Sequence, residues 1–544
     1  MDERTRLTSS LWSITERFPL IIATIVVFVQ TVFSLNNRAL WFSDEVRYAN
    51  VYQNLVEGGH WVVLNLNGMP YPDKPPLYFL FLNAIDAFPG VSGTTVFFIG
   101  SALSGLAFVA ATKYLGEVLE FDRKTQVAAI YISLSTIFVV SLFHYVRMDL
   151  LFCVFILLSI AFLYQHYVKQ EGSKYLYLGY LAASIATLVK GPLGVIIPLL
   201  VLVVFLVWIG KARRFLSTNT LLGLLVSLIP IGIWAYGVVV VQGSDFLTQD
   251  ILGMHVVQRA TNAFHHKEPF YYYFVILPVT FLPWTGFVAS VQFKRLFSAS
   301  VSKSTVANRK QHGSYAFLIS ASVTILALLS LMSGKVAIYV LPILPFLSFL
   351  VAHKVLVDGK GAQRGWIAVS LLLCAVGIGA LFTLPNVQNI TLQFGIILGS
   401  VLLLLTAIQI WRFRHENPRR LLGVMLIGLT LWVVSQFTTT FTALDGQLSP
   451  RDHASVIKEY ASEGYEPMSF KTYPGIFTFY AGQNLFETDE IATLLEEVNA
   501  AEKVVLAITK SSWEKHPILG GLFTVVFEQN ISGGGGVYLV ALKD

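Results

Sequence analysis

The chain has 544 residues, of which 55% are hydrophobic and 13% are charged, and its mean hydropathy is +0.65. Soluble domains carry about 25% charged residues, so this composition excludes an ordinary water-soluble fold and indicates a polytopic membrane protein. The two cysteines, Cys153 and Cys374, lie in apolar runs, which excludes a disulfide scaffold and a paired-cysteine metal or redox motif. A net charge of +6 is typical here of basic cytoplasmic loops and does not indicate nucleic-acid binding.

Apolar segments that approach the roughly 20 residues of a membrane helix follow one another along the chain. The first is interpreted as a retained helix, with a cleaved signal peptide as the alternative, because no small-residue cleavage site follows it. A shorter apolar stretch, 77–89, predicts a helix at the membrane interface. The thirteen predicted spans are 18–35, 92–112, 126–143, 149–168, 175–189, 192–209, 219–241, 270–291, 314–332, 336–352, 366–384, 390–411 and 421–441.

The lysine and arginine residues predict the orientation. With a cytoplasmic N-terminus and thirteen crossings, 23 of the 38 basic residues fall in cytoplasmic segments and eight in loops on the other side. This split agrees with the positive-inside rule. We therefore predict a multi-pass inner-membrane domain over 1–441, with a first extracytoplasmic loop at 36–91.

Residues 442–544 differ in composition and predict a small soluble α/β domain outside the cytoplasm. The stretches KVVLAIT and GGGVYLVAL predict strands, and RDHASVIKEYASEG predicts a helix that ends at glycine. NISGGGG predicts a turn or loop.

Charged side chains gather in the predicted extracytoplasmic loops, whereas the helix interiors are nearly free of charge. Asp44 and Asp149 lie in segments so short that their carboxylates fall near helix ends, where charge is costly without a function. We interpret Glu57, Asp86, Lys267 and Glu268 as ordinary loop charges. Ion-coupled transport usually needs charge within the bilayer. The pattern therefore favours chemistry at one interface on a molecule with an apolar and a polar end.

The stretch SDEVRYANVYQNLVEGGHWVVLNLNGMPYPDKPPLYF resembles the first extracytoplasmic loop of bacterial lipid A aminoarabinose transferases. It also resembles their relatives in the wider dolichyl-phosphate-mannose protein mannosyltransferase superfamily, whose membrane fold is of the glycosyltransferase C type. The family pattern is roughly D-E-x-R-Y, then G-D-W, N-G and Y-x-E-K-P-P-L. RMDLLF, TLVKGPLG, MHVVQRA with HHKEPFYYY, and SGKVAIYVLP follow in the family's order. Asp73 replaces the family's glutamate and His60 its aspartate, which loosens the assignment to aminoarabinose transfer itself.

The resemblance implies an inverting glycosyltransferase that moves a sugar from a polyprenyl-phosphate donor to an extracytoplasmic acceptor such as lipid A. The implied sugar is 4-amino-4-deoxy-L-arabinose or a hexose. Protein O-mannosyl transfer within the same superfamily is an alternative. A flippase for lipid-linked sugar and a noncatalytic scaffold are alternatives of other classes. The expected partners are the lipid-linked donor, a lipid or glycan acceptor and membrane lipids, with no nucleic acid.

We expect Asp44 to take a proton from an acceptor hydroxyl, or to position a phosphate acceptor, while Asp149 orients the acceptor or the sugar. Cations near the leaving phosphate oxygen would stabilise charge that grows in the transition state. The candidate substrate- and phosphate-binding residues are Glu45, Arg47, Tyr48, Tyr71, Asp73, Lys74, Lys190, His255, Arg259, Lys335 and Tyr339.

Neither a cofactor nor a metal follows from these motifs, and a divalent cation is left open. His265 and His266 lack a carboxylate at ligand spacing, which argues against a metal site there. The tyrosines of PFYYYF, Tyr271–Tyr273, predict an aromatic belt at the bilayer edge, with packing on a prenyl chain or sugar face as the alternative.

Overall fold

The computed structural model describes residues 12–258, 267–290, 313–532 and 536–543, apart from Ser13, Ser34, Asn36 and Asp358. Of residues 255–258 and 360 it describes the backbone alone. The α-helices up to residue 435 are α1 Pro19–Val32, α2 Asp44–Gly58, α3 Leu77–Asp86, α4 Thr95–Val118, α5 Arg123–Leu134, α6 Ile137–Ser141, α7 Asp149–Tyr164, α8 Ser173–Lys190, α9 Leu193–Trp208, α10 Thr218–Gln242, α11 Tyr272–Thr280, α12 Gly313–Leu331, α13 Leu344–Val357, α14 Gly359–Leu381, α15 Ile390–Phe413 and α16 Pro418–Ser435.

Short π or 3-10 segments extend or connect these helices. They are Gln165–Lys169, Ala212–Arg214, Phe246–Gln258, Trp284–Ser290, Ala337–Ile343, Leu384–Asn386 and Gln436–Thr440. Polar side chains cap several helix starts: Asp122 accepts the N–H of Thr125 before α5, and Asn389 accepts that of Leu392 before α15. Such caps satisfy N–H groups that have no partner within the helix.

Eight helical segments among the described residues are long and apolar enough to cross a membrane, and a bent pair, α11 with Trp284–Ser290, makes up to nine. The other four predicted spans contain helices that are short, broken or less apolar. α1 and α9 are short, and the 126–143 segment is broken between α5 and α6. The fifth predicted span, 175–189, lies within α8, which is less apolar. A polytopic helical membrane protein is thus confirmed, whereas the count of thirteen stays a prediction.

The first loop folds into a helix, a small hairpin and a second helix. α2 starts with two carboxylates in its first turn, where the helix dipole favours negative charge. The hairpin pairs β1 (Asn65–Leu66) with β2 (Met69–Pro70). Oδ1 of Asn50 on α2 accepts the N–H of Asn67 over 2.8 Å and holds the hairpin against that helix. The predicted interfacial helix is present as α3, although it ends three residues earlier than the predicted stretch.

The C-terminal part consists of short helices and a five-stranded sheet. Its elements are α17 Phe441–Ala443, α18 Asp445–Leu448, α19 Arg451–Ser462, β3 Glu466–Phe470, α20 Thr478–Ala481, β4 Phe486–Thr488, α21 Ile491–Ala500, β5 Val504–Thr509, α22 Lys510–Lys515, a 3-10 turn Pro517–Gly521, β6 Thr524–Ile531 and β7 Gly536–Lys543. The strand order is β4-β3-β5-β7-β6. β3 is parallel to both β4 and β5, and β7 is antiparallel to β5 and β6. The two strands and the helix predicted from the sequence are present as β5, β7 and α19.

The sheet buries both faces, and β5 shows how the sequence achieves this. Val505 and Ala507 belong to the apolar core that continues into the membrane helices. Val504, Leu506 and Ile508 point to the other face and form a separate core with α21. Since successive side chains of a strand alternate between faces, one apolar strand serves both cores.

The C-terminal domain is docked on the first loop by hydrogen bonds. Asn67 donates to the carbonyl of Leu485 over 2.7 Å and accepts the N–H of the same residue over 2.8 Å. Asp445 accepts the N–H of Ala39 over 2.7 Å and the indole N–H of Trp41 over 2.9 Å. The loop that carries Asp44 is therefore fixed from outside the membrane helices as well as from within them.

Candidate active site

Three side chains from two distant parts of the chain form the centre of a charged network. Nη1 of Arg147, in the turn before α7, lies 2.5 Å from Oδ2 of Asp44, the first residue of α2. Nε of Arg147 donates to Oδ2 of Asp149, the first residue of α7, over 3.0 Å. The Asp44 side chain is 24% exposed and that of Asp149 is 2% exposed. One guanidinium thus joins an accessible carboxylate to a buried one.

Lys190 extends the network from the end of α8. Its ammonium forms an ion pair with Oδ1 of Asp149. The chain turns immediately afterwards at Gly191, whose φ of +124° is readily adopted only by glycine. Nζ of Lys190 also lies 4.6 Å from the ring centre of Tyr339, which is a cation–π contact. Lys190 therefore connects Asp149 to Tyr339, so two more predicted site residues join the network.

The first loop adds a second group of charges beside Asp44. Arg47, one turn further along α2, lies 3.9 Å from the Asp44 carboxylate, and its guanidinium is 5.5 Å from the ring centre of Tyr71. The Tyr71 hydroxyl donates to Oδ2 of Asp73 over 2.9 Å. Nζ of Lys74 donates to the same oxygen over 3.0 Å. A continuous series of contacts therefore joins Lys74 to Asp44.

The network carries an excess of positive charge. Burial lowers the pKa of Arg147, but the carboxylates of Asp149 and Asp44 outweigh this effect and raise it well above its usual value. Burial and the nearby Asp73 raise the pKa of Tyr71, so its hydroxyl stays neutral. Four cations face three carboxylates: Arg47, Lys74, Arg147 and Lys190 against Asp44, Asp73 and Asp149. The site therefore suits an anionic group.

Two residues predicted to touch the substrate, Glu45 and Tyr48, are instead buried beneath the network. Arg38 forms a bidentate salt bridge with Glu45, with both contacts at 2.7 Å. The N–H groups of Trp41 and Val146 donate to the same carboxylate over 2.7 and 2.6 Å. Burial raises the pKa of Tyr48, and only 2% of its surface is exposed. These contacts favour positioning roles, because the residues face protein and leave little room for a ligand.

Lys335 also differs from the expectation of a phosphate contact. Its ammonium donates to the carbonyls of Met332 over 2.5 Å and Glu268 over 2.9 Å, and the residue is buried. The Tyr273 hydroxyl donates to the carbonyl of Val336, the residue that follows Lys335, and accepts the N–H of Val336. Lys335 thus links the segment before α11 to the turn after α12. Tyr273 is buried inside the protein and is not the bilayer-edge residue that the sequence predicted.

Several predicted residues lie outside the described part of the chain. These are Arg259, His265, His266 and the side chain of His255. Among the described residues, no three histidine, cysteine, aspartate or glutamate side chains come together as a metal site would require.

Two residues in the site, Arg147 and Tyr473, were not among those predicted from the sequence. Arg147 was visible as a charge two residues before Asp149, and its short turn was the available signal. Tyr473 follows β3 in the C-terminal domain, and its ring centre lies 4.9 Å from the guanidinium of Arg47. No membrane-domain motif indicates Tyr473, since only the docking of the two parts of the chain creates this contact.

Known proteins resemble this chain in sequence and in fold. A family model for dolichyl-phosphate-mannose-protein mannosyltransferase matches residues 73–236. The undecaprenyl phosphate-alpha-4-amino-4-deoxy-L-arabinose arabinosyl transferase of Yersinia enterocolitica is 27% identical over 338 residues, which cover 61% of this chain and 58% of that protein. The protein of the same name from Aeromonas salmonicida is 26% identical over 339 residues, with 61% and 59% covered. The chain thus spans somewhat less than two thirds of the length of these relatives.

Solved structures share the fold over nearly the entire chain. ArnT from Cupriavidus metallidurans bound to undecaprenyl phosphate matches with a TM-score of 0.73 at 16% identity, covering 97% of this chain and 98% of that one. Its apo state matches with a TM-score of 0.71 at 18% identity, with 98% of each chain covered. The family model and the curated relatives thus make this chain similar in sequence to these transferases, and it shares the membrane fold of ArnT.

Proposed function

We propose that this chain is an inverting glycosyltransferase that moves a sugar from a polyprenyl-phosphate donor to an acceptor outside the cytoplasm. The observation that carries the proposal is the continuous, positively charged network from Lys74 to Lys190 at the ends of membrane helices. The names of the curated relatives and the undecaprenyl phosphate bound to ArnT support it. The proposed sugar is 4-amino-4-deoxy-L-arabinose or a hexose, and the proposed acceptor is lipid A or another glycan.

The cations bind the phosphodiester of the donor. Nε of Arg47 has no hydrogen-bond partner among the described residues, so this guanidinium has donors to offer. Arginine binds phosphate through two parallel hydrogen bonds, and Lys74 adds a point charge nearby. Negative charge grows on the phosphate as its bond to the sugar breaks. The cations therefore stabilise the transition state more than the ground state.

Asp44 acts on the acceptor. It is the accessible one of the two carboxylates on Arg147, and that salt bridge fixes its orientation. A hydroxyl acceptor loses its proton to Asp44, a step that contributes about 10²–10⁴-fold to the rate. A phosphate acceptor needs little deprotonation, and Asp44 then positions it. Asp149 is a positioning residue, because its buried carboxylate holds Arg147 and Lys190 in place.

The N-terminus is proposed to face the cytoplasm and the C-terminal domain the outside. The distribution of basic residues along the chain supports this orientation. The docking of the C-terminal domain on the first loop then covers the site from the side where the acceptor arrives.

Transfer from purified lipid-linked sugar in detergent or vesicles tests the proposal. Asp44→Asn keeps the shape of the side chain and removes the basic oxygen. We expect turnover with a hydroxyl acceptor to fall by about 100-fold or more, with membrane insertion and thermal unfolding unchanged. Asp245→Asn is the matched control, because Asp245 is an exposed carboxylate between α10 and the segment Phe246–Gln258, and this variant is expected to behave as wild type.

Two outcomes would contradict the proposal. Wild-type turnover by the Asp44→Asn variant would remove the role given to the network. Movement of the lipid-linked sugar across vesicles without cleavage of the sugar–phosphate bond would favour a flippase. Mass spectrometry of envelope lipids, glycans and proteins from cells with and without the chain identifies the acceptor. The mannosyltransferase family model at 73–236 keeps a protein acceptor as the second candidate.

A further inference from the structure

Arg47 contacts two aromatic rings that come from different domains. The ring centre of Tyr473, in the C-terminal domain, lies 4.9 Å from its guanidinium, and that of Tyr71, in the first loop, lies 5.5 Å from it. The nearest described carboxylate, Asp44, is 3.9 Å away. Because aromatic faces attract a cation without using its N–H groups, this environment leaves the guanidinium free to donate to an anion.

The loop that carries Tyr473, residues 471–475, is held firmly on both sides. Glu487 of β4 accepts the N–H of Gly475 over 3.0 Å, and the N–H of Lys471 donates to the carbonyl of Thr488 over 3.1 Å. Gly475 has a φ of +71°, and a Cβ there would lie 2.5 Å from Cδ1 of Leu66 in the first-loop hairpin. Glycine therefore permits the loop to pack directly against the hairpin, which fixes the position of Tyr473.

The same loop begins at the carboxyl ends of the parallel strands, where α/β domains usually bind ligands. β3 runs parallel to β4 and β5, and residues 471–475 directly follow its carboxyl end. Ligands of parallel sheets bind in the crevice outside these ends. In this chain, the carboxyl end of β3 faces the first loop and Arg47.

We infer that Tyr473 is a positioning residue of the active site, which together with Tyr71 orients the guanidinium of Arg47 toward the phosphate of the donor. The inference rests on the proposed function and extends it, because it makes the C-terminal domain part of the donor site. The Tyr473 ring is 42% exposed, so its removal is not expected to unfold the domain.

Binding of undecaprenyl phosphate to the purified full-length chain tests the inference. We expect Tyr473→Ala to weaken binding by about three- to tenfold, because one of two cation–π contacts is lost. Tyr473→Phe keeps the ring face and is expected to bind within about twofold of wild type. In the transfer assay, the Tyr473→Ala variant is expected to raise the donor KM more than it lowers kcat.

Tyr465→Ala is the matched control. Tyr465 precedes β3 at the opposite end of the strand, and Lys503 lies over its ring at 5.1 Å, so the same kind of contact is removed away from the site. Tyr465 is only 9% exposed, so its loss disturbs the domain at least as much as that of Tyr473. We expect thermal unfolding of this variant to drop while its affinity for undecaprenyl phosphate is retained.

A double-mutant cycle shows whether Tyr473 acts through Arg47. In an Arg47→Ala background, Tyr473→Ala is expected to add no further loss of affinity. An equal loss in both backgrounds, or an equal loss in the Tyr465→Ala variant, would overturn the inference. Wild-type affinity of Tyr473→Ala would also overturn it and leave the proposed function intact. Failure of the wild-type chain to bind undecaprenyl phosphate would overturn both.

Discussion

Nη1 of Arg147 and Oδ2 of Asp44 lie 2.5 Å apart, in side chains that are 17% and 24% exposed. Arg147 also holds the buried Asp149, so the position of Asp44 depends on a carboxylate at the start of α7. Both carboxylates stand at helix N-termini, where the helix dipole favours negative charge. The accessible carboxylate is therefore oriented before any acceptor arrives.

Arg147→Lys tests this orientation. Lysine keeps the positive charge, but a single ammonium cannot reproduce the fork that reaches two carboxylates in fixed directions. We expect kcat for sugar transfer to fall by about 10- to 100-fold, since small misplacements of a reacting group have effects of this size. The measurement is steady-state transfer with purified lipid-linked sugar.

Arg123→Lys is the control for that substitution. Its side chain is 53% exposed and lies 3.7 Å from Glu117, which is not part of the network. Exposed ion pairs contribute little, so this variant is expected to keep wild-type kcat. A wild-type kcat for Arg147→Lys as well would show that the two-carboxylate bridge is not needed.

Asp149 and Lys190 form a buried pair whose two members depend on each other. Asp149→Asn leaves the ammonium of Lys190, with 11% of its side chain exposed, without its charged partner. We expect the free energy of unfolding to fall by about 3 kcal/mol, as is typical when one member of a buried pair is removed. Thermal unfolding in detergent measures this loss.

Adding Lys190→Met to Asp149→Asn is expected to restore part of that stability, because no buried charge then lacks a partner. Activity is expected to stay low, since Arg147 has still lost its anchor. If the two substitutions destabilised the protein additively, the pair would not be coupled and the network would end at Asp149.

The polar turns were predictable, and the structure shows why. Asp44, Asp149 and Lys190 stand next to long apolar segments, and unexplained charge at such places indicates either a partner or a function. The structure joins Asp44 and Asp149 through one guanidinium. Hydropathy was less informative about helix continuity: the 126–143 segment was predicted as one span, but α5 ends at Leu134 and α6 begins at Ile137.

Contacts that depend on tertiary docking were not predictable. Glu45 belongs to the same motif as Asp44, yet Arg38 neutralises it from within the same loop. Tyr473 reaches the site only because the C-terminal sheet packs on the first-loop hairpin. Arg38 and Glu45 are seven residues apart in one loop, and only the folded loop pairs them, whereas the Tyr473 contact is set by how two separate parts of the chain pack.

Glu45→Gln separates a positioning role from the substrate contact predicted by sequence. Removing the charge leaves the buried Arg38 guanidinium without its carboxylate, so we expect the free energy of unfolding to fall by about 3 kcal/mol. Glu57→Gln, at an exposed position near the end of the same helix, is expected to have little effect. A Glu45→Gln variant with normal stability and weakened donor binding would instead support a direct contact with the substrate.

His453 makes the stability of the C-terminal domain depend on pH. Its ring is fully buried, stacks on Phe477 with centroids 4.5 Å apart, and neither ring nitrogen has a hydrogen-bond partner among the described residues. Burial lowers the pKa of His453 to about 3 from the usual 6.5. Below pH 6.5, His453 is therefore protonated in the unfolded chain, whereas in the folded domain it stays neutral down to about pH 3. Stability is fully present above pH 6.5 and declines as the pH falls, by on the order of 2 kcal/mol at pH 5.

His453→Phe isolates this effect from other titrating groups. Phenylalanine retains the stacking contact with Phe477 and cannot be protonated, and the backbone N–H of residue 453 keeps its bond to Gln529. Thermal unfolding of the full-length protein at pH 8 and pH 5 should show a smaller loss on acidification in the variant than in wild type. Equal losses would mean that His453 gains a proton in the folded domain, and the buried, unpartnered ring would then have to open to water.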